Sequence, residues 1–255
     1  MPLATIVLHS ENPGNLMTSR PVSPLIAIVG CDGSGKSTMT EVVQVWLTEF
    51  QPTVICHLGK QSGNMGRSLA RLPLLGSRLE RSIRTKAQSA QTTAGPDLAT
   101  AIGIYAFAVR RARRFRRMIR LRHSGKAIVA DRFPQIEVPG PMDGPGLGNA
   151  RSTGAIGWLA RRERRKFASM VAYKPDLVIR LTVSLDVACA RKPDHPRASL
   201  ARKISDLSRL TFPGVKVVEI DADAPLPSVH GEAKIAIARL LQAKYGIVVP
   251  LAAAF

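Results

Sequence analysis

The stretch Leu25-Ile26-Ala27-Ile28-Val29-Gly30-Cys31-Asp32-Gly33-Ser34-Gly35-Lys36-Ser37-Thr38 leaves this chain the least freedom in what it can fold into. An apolar run too short for a buried helix leads into Gly30-x-x-x-x-Gly35-Lys36-Ser37, the spacing of a phosphate-binding loop that leaves a strand and opens a helix. Glycines at 30, 33 and 35 let the backbone take positive φ and bring its N–H groups to phosphate oxygens, while the following helix offers its positive N-terminal end. Lys36 would reach the β- and γ-phosphates of a nucleotide, and the Ser37 hydroxyl would ligate Mg²⁺.

The 255 residues suffice for one α/β domain with a full core. Residues 1–22 show no sustained period and read as a loose leader in which Ala4–Leu8 could form a stray strand; the domain runs over 23–247, and 248–255 is a tail. No apolar stretch approaches the roughly 20 residues that cross a bilayer. The N-terminus lacks the charged, long apolar and cleavage regions of a secretory signal, so a cytoplasmic location is expected. Cys31, Cys56 and Cys189 are far apart, with neither metal-ligand nor C-x-x-C spacing, and are expected to be free thiols. The net charge of +19, from 37 Lys+Arg against 18 Asp+Glu, exceeds what two phosphorylated ligands require. Such a field draws polyanions, whether nucleic acid, anionic lipid or phosphorylated metabolites.

After the loop, Met39, Val42, Val43, Trp46 and Leu47 recur at helical spacing over Ser37–Phe50, which makes Trp46 a core residue. Thr53–His57 is β-branched and reads as a second strand, followed by Leu58-Gly59-Lys60-Gln61-Ser62-Gly63-Asn64, either an ordinary turn or part of an acceptor site beyond the strand end. Residues 65–88 form a basic, Leu-rich helical stretch broken at Pro73 and Gly76. A long helix is expected from Asp97 to His123, with Leu98, Ile102, Tyr105, Val109, Phe115 and Ile119 facing the core. Its second half is rich in arginine; Arg110, Arg113, Arg114 and Arg117 share a face, and a polyanion contact through Arg110–Arg122 stays open beside the simpler reading of a solvated face. Ala127-Ile128-Val129-Ala130 is a buried strand ending in Asp131-Arg132. A carboxylate there can hold Mg²⁺ or its water shell, and an adjacent guanidinium can grip a phosphate through two parallel hydrogen bonds.

Residues 135–154 hold a Gly/Pro loop, read as a mobile cover over the acceptor site with Asp143 as its interior carboxylate, or as a disordered surface insert. Ile156–Tyr173 reads as a helix interrupted in its middle by the charged block Arg161-Arg162-Glu163-Arg164-Arg165-Lys166. Pro175–Val183 carries a strand, Ser184 with Asp186 caps the next helix, and the basic turn from Arg191 to Arg197 lies between two helices. There, over about 190–203, a lid could fold over the triphosphate. Val215–Ile220 is the last strand, and Val229–Tyr245 is a closing helix ended by Gly246. Five strands alternating with helices give a three-layer α/β architecture with a doubly wound, parallel five-stranded sheet.

In order and roughly in spacing, Gly30 to Thr38, Asp131-Arg132-Phe133, Pro175-Asp176-Leu177-Val178-Ile179 with Val183-Ser184, Arg191-Lys192 and Ile220-Asp221-Ala222 resemble thymidylate kinases over about residues 24–243. The resemblance implies a P-loop NTPase of the nucleotide kinase type that uses ATP and Mg²⁺, acts on a nucleotide or small phosphorylated acceptor, and admits a homodimer. It implies that Gly30, Asp32, Gly33, Ser34, Gly35, Lys36, Ser37 and Thr38 bind the nucleotide, and that Ser37 and Asp131 serve the metal. Lys36, Arg132 and the lid cations Arg191 and Arg197 would be catalytic. Asp32 would bond the acceptor's sugar hydroxyl, Arg132 its phosphate and Arg110 its base. The family's Arg-Glu-Pro-Gly-Gly loop is replaced by Leu58-Gly59-Lys60, and its Tyr-Gln-bearing helix by the Gly/Pro loop, so the phosphate and metal chemistry is retained while the base-reading part is not. The expected reaction is transfer of the ATP γ-phosphoryl to a nucleoside monophosphate or related acceptor. Two alternatives stand beside it: kinase action on an unphosphorylated nucleoside or sugar, and a nucleotide-gated polyanion-binding protein without kinase activity.

Overall fold

A computed structural model of the chain describes residues 22–59, 96–150 and 153–249. The expected leader, the loop from Lys60 to Asn64, the helical stretch over 65–88 and the end of the tail lie outside the described residues. The described elements are β1 (Leu25–Gly30), α1 (Lys36–Thr48), β2 (Thr53–His57), α2 (Leu98–His123), β3 (Ala127–Asp131), α3 (Gly154–Val171), β4 (Leu177–Thr182), α4 (Leu185–Arg191), α5 (Arg197–Ser208), β5 (Lys216–Asp221) and α6 (Leu226–Tyr245).

The five strands form one parallel sheet in the order β2-β3-β1-β4-β5. The central strand β1 is buried along its whole length, and the alternation of its side chains divides the core. Ile26 and Ile28 join Met39, Val43, Trp46 and Leu47 of α1 and Val229, Ile237 and Leu241 of α6 on one face. Leu25, Ala27 and Val29 join Ala108, Phe115 and Met118 of α2 and Phe167 and Met170 of α3 on the other. Registers Ile28↔Asp131 and Gly30↔Leu181 set the carboxyl end of β1 between those of β3 and β4, the crevice where open α/β sheets receive ligands.

At the opposite end of the sheet, Arg122 is tied into the fold. Its Nε donates to the Ser23 carbonyl at 2.6 Å and its Nη2 to Asp176 Oδ2 at 2.7 Å, and the same carboxylate oxygen accepts from Leu25 N and from the Tyr245 hydroxyl. Arg122 therefore belongs to the structure rather than to a solvated arginine strip.

Three expectations need correction. The buried side of α2 runs through Ala101, Ala108, Arg111, Ala112, Phe115, Met118 and Arg122, whereas Leu98 and Ile102 are exposed. α2 packs more extensively on α3 than on the sheet, so its inward face is turned toward that helix and leaves Leu98 and Ile102 outside. α3 runs unbroken from 154 to 171: Glu163 turns inward and accepts from Gly146 N at 2.9 Å and Leu147 N at 2.8 Å, while the arginines on either side of it face out. The Gly/Pro loop is packed rather than loose. Gln135 is buried and bonds the Val138 and Met142 carbonyls at 2.6 and 2.8 Å, and Val138, Met142 and Leu147 are buried.

Candidate functional site

The loop between β1 and α1 is shaped by what its glycines touch. A Cβ on Gly30 would stand 2.4 Å from Ser34 Oγ and 3.0 Å from the Leu181 carbonyl; one on Gly33, where φ is +86°, would meet Ala188 backbone at 3.0 Å. Gly35 sits at φ 79° immediately before α1, leaving the first turn of that helix open, with Ser37 and Thr38 exposed on it. The loop closes on one carbonyl: Cys31 O accepts from Ser34 Oγ at 2.9 Å and from Lys36 Nζ. Lys36 is buried, and burial together with nearby Arg132 pulls its ammonium down to about 8.

Across from the loop stands the end of β3. Arg132 has φ 65°, a left-handed conformation that non-glycine residues adopt at a cost of order 1–3 kcal/mol. Its Nη2 donates to Asp32 Oδ1 at 3.0 Å, and its Nη1 lies 3.9 Å from Asp143 Oδ2. Asp143, also at φ 65°, holds Arg111, whose Nη1 donates to the Asp143 carbonyl at 2.7 Å and whose Nε donates to the Leu58 carbonyl at 2.5 Å; Arg111 is itself buried. Arg114 donates to the Gly59 carbonyl at 2.9 Å. A Cβ on Gly59 would fall 2.4 Å from Arg132 Cδ, so glycine there leaves room for that side chain as it stands. Asp32, Arg132, Asp143 and Arg111 thus form a row of alternating charge over the ends of β1, β2 and β3.

The other oxygen of Asp32 is taken by α5. Lys203 Nζ bonds Asp32 Oδ2 at 2.5 Å, and His195 Nδ1 is 3.7 Å from the same atom. Burial alone would raise the Asp32 pKa, but Lys203, Lys36 and Arg132 outweigh it and hold the carboxyl well below the usual range. Asp32 is therefore an anion at neutral pH, with both oxygens placed to accept hydrogen bonds. Burial works against the Arg132 charge in turn, and Asp143, Asp32 and Asp131 together push its pKa higher.

The sequence-expected residues Gly30, Asp32, Gly33, Ser34, Gly35, Lys36, Ser37, Asp131 and Arg132 are brought to this one region. Arg191 reaches it, its Nη1 donating to the Gly33 carbonyl at 3.2 Å. Arg197 instead pairs with exposed Asp186 at 2.7 Å. Arg110 is exposed, and the buried guanidinium that α2 carries to the strand ends is that of Arg111. Lys203, Arg111, His57 and His195 went unassigned in the sequence. Nothing local marks Lys203, 171 residues from its partner. Arg111 could have been found: a helical wheel puts it with Ala108, Ala112 and Phe115 on the buried side.

The residues present fit a magnesium ion that shares its shell with phosphate. Asp131 Oδ2 faces His57 Nδ1 at 3.0 Å, while Asp131 Oδ1 is buried without a hydrogen-bond partner among the described residues. Asp131 also lies near enough to Lys36 to favour its charge. The described residues hold no group of three or more His, Cys, Asp or Glu able to cage a metal.

No protein-family model matches the chain. It is 43% identical over 217 residues to the uncharacterized ATP-binding protein YghR of Escherichia coli K12, covering 84% of this chain and 86% of that protein. It is 41% identical to the uncharacterized ATP-binding protein YghS of the same organism, covering 83% of this chain and 90% of the relative. Among solved structures, a thymidylate kinase from Ehrlichia chaffeensis is similar at 18% identity and a TM-score of 0.43, over 85% of this chain and 99% of that one. The chain belongs to the family of YghR and YghS.

Proposed function

We propose that this member of the YghR and YghS family binds ATP and transfers its γ-phosphoryl to the phosphate of a nucleoside monophosphate or a related small phosphorylated acceptor. The observation that carries the reading is the meeting of the loop and the β3 end: Arg132 Nη2 lies 3.0 Å from Asp32 Oδ1, so the loop and the guanidinium of the acceptor side face one another over the ends of neighbouring strands. The ATP-binding names of YghR and YghS, relatives that span most of this chain, support the nucleotide half.

In such a reaction an acceptor phosphate oxygen bonds to the γ-phosphorus as the bond to the β–γ bridging oxygen breaks, and ADP leaves. Catalysis comes from position and charge, with no covalent enzyme intermediate. The backbone N–H groups of 31–37 would hold the β-phosphate at the end of α1. Lys36 would exchange the Cys31 carbonyl for β- and γ-oxygens. Arg132 would hold the acceptor phosphate, with Asp32 fixing its guanidinium and accepting a sugar hydroxyl. Arg191, already on the Gly33 carbonyl, would turn to the transferring group, while α4 and α5, with Arg197 at the start of α5, would exclude water from it. Magnesium, held by Ser37 and through Asp131, would neutralise phosphate charge.

A second reading draws on Asp143. With Asp32 and Asp143 flanking Arg132 at 3.0 and 3.9 Å, this guanidinium already has two carboxylates, which suits an uncharged nucleoside or sugar hydroxyl as acceptor. A panel of nucleoside monophosphates, nucleosides and sugars assayed for ADP formation separates the two. Lys36→Ala should lower kcat by about 100-fold or more on any true acceptor. Arg132→Ala should remove activity on phosphorylated acceptors under the first reading and spare a nucleoside under the second. Turnover by Lys36→Ala equal to that of the wild type would refute both.

A further inference from the structure

The outward side of the helical layer formed by α2 and α3 is cationic, and neither helix presents an acid on it among the described residues. Arg110, Arg113, Arg116, Arg117 and Arg120 are exposed on α2, and at about 100° per residue they occupy one continuous arc opposite the buried Ala108, Ala112, Phe115 and Met118. α2 contains no Asp or Glu. On α3, Arg161, Arg162, Arg164 and Arg165 are exposed opposite buried Leu159, Phe167 and Met170. The one acid of α3, Glu163, is spent inside on Gly146 N and Leu147 N. Both helices cover the same face of the sheet and pack on each other, so the two arcs open on one side of the molecule.

A tryptophan stands within this field. Trp158 is 48% exposed, and the Arg162 guanidinium lies 4.4 Å from the centroid of its ring, one helical turn on. An exposed indole leaves apolar surface in water. We propose that the α2–α3 face is a binding surface for single-stranded nucleic acid, with the arginines on successive phosphates and Trp158 as a stacking platform for a base.

Three features select this partner over other polyanions. The exposed cations are all arginine, whose planar fork takes two phosphate oxygens and lies flat on bases. The indole offers the π-face that single-stranded sites use irrespective of sequence. A lipid surface would need a continuous apolar face free to enter the acyl layer; most apolar side chains of α2 and α3 are committed to the core, and the exposed ones, Leu98 and Ile102 at the start of α2 and Trp158 on α3, are too few to make one. This face is separate from the loop of residues 30–37, so it stands whether or not the phosphotransferase reading does.

The test uses the full chain and a fluorescein-labelled, mixed-sequence oligoribonucleotide of about 16 nucleotides, followed by anisotropy between about 50 and 200 mM salt. The expected result is binding whose log Kd changes linearly with log salt. The quadruple variant R161Q/R162Q/R164Q/R165Q should weaken binding at least tenfold and reduce the slope by up to about 3, at about 0.7 for each phosphate no longer neutralised. W158A should weaken binding about 5- to 100-fold with the slope kept, and R116Q/R120Q should lower the slope by about 1. Unchanged thermal midpoints and unchanged ATP affinity show that the variants are folded. Absence of binding, indifference to these substitutions, or equal affinity for the matching blunt duplex would overturn the proposal. So would capture by phosphatidylcholine vesicles only when they contain phosphatidylglycerol, with no binding to the oligonucleotide.

Discussion

Raising the pH from 7 to 9 perturbs the loop at a single cation. Lys36 is 6% exposed and its ammonium titrates at about 8 against an ordinary 10.5, because burial disfavours the charge and Arg132 repels it. The protonated fraction then falls from about 0.9 at pH 7 to about 0.1 at pH 9. If a bound triphosphate needs the ammonium, apparent affinity falls about tenfold over this interval, since only the charged fraction is competent. Binding also takes up protons, about 0.1 at pH 7, 0.5 at pH 8 and 0.9 at pH 9, once phosphate oxygens return the lysine to a high pKa. Calorimetry with a non-hydrolysable ATP analogue, in buffers that differ in ionisation enthalpy, reads affinity and uptake together, and Lys36→Gln should bind weakly with a flat profile. The unliganded fold moves the other way. The unfolded chain holds this proton up to about pH 10.5 and the folded one releases it near 8, so stability should rise between those values, by at most about 3 kcal/mol. Constant affinity from pH 7 to 9 with no proton uptake would refute this placement of Lys36.

Three further outcomes follow from contacts around the site. Gly59→Ala brings a Cβ to 2.4 Å from Arg132 Cδ and should swing that side chain aside, raising the acceptor KM about tenfold while ATP affinity holds; steady-state kinetics with an acceptor found active check it. Glu163→Gln leaves one of Gly146 N and Leu147 N without its acceptor and should cost about 1–3 kcal/mol, seen as a Tm lower by several degrees. Lys203→Ala removes the strongest of the influences that depress the Asp32 pKa. A depressed carboxylate stabilises above its unfolded pKa and loses that contribution as pH falls, so the wild type should exceed the variant by about 1–2 kcal/mol at pH 7. Urea unfolding should show that difference shrinking below about pH 4, and a difference constant with pH would contradict the pairing.

All five strands could be read from the chain to within a residue or two: β1, β3 and β4, covered on both faces, are apolar almost throughout, and the edge strands β2 and β5 carry β-branched residues between turn signals. The loop was legible for a related reason: its glycines answer steric demands of neighbouring backbone, at Leu181 and Ala188. What could not be read was the sorting of like residues by environment. Among the arginines of α2, Arg111 and Arg122 are buried and Arg113 and Arg116 are not, and the difference lies in carboxylates and carbonyls supplied by Asp143, Leu58, Asp176 and Ser23 from elsewhere in the chain. The charged block of α3 looked like an interruption because residue type was counted without direction. On a helix, Glu163 can point inward while each neighbouring arginine points out, and two backbone N–H groups of the Gly/Pro loop are what make its burial tolerable. The pairing of Lys203 with Asp32 depends on how α5 is laid across the end of the sheet, which no short stretch of sequence encodes.

The choice between acceptors turns on Arg132, and the surrounding charges define it. Asp32 is held by Lys203 as well as by Arg132, so an acceptor phosphate that drew Arg132 away would leave this carboxylate with a partner still in place. Asp143 is likewise retained by Arg111. Both carboxylates can therefore give up their share of Arg132 without becoming unpaired buried charges, the outcome that would make phosphate binding costly. The contact to Asp143, at 3.9 Å, is also longer than a charge-assisted hydrogen bond of about 2.7–2.9 Å and is the weaker of the two holds. Arg132 is thus the one guanidinium in the row whose release strands nothing. That makes a phosphorylated acceptor compatible with the two flanking carboxylates, and it is why loss of activity in Arg132→Ala on phosphorylated acceptors alone is the decisive measurement.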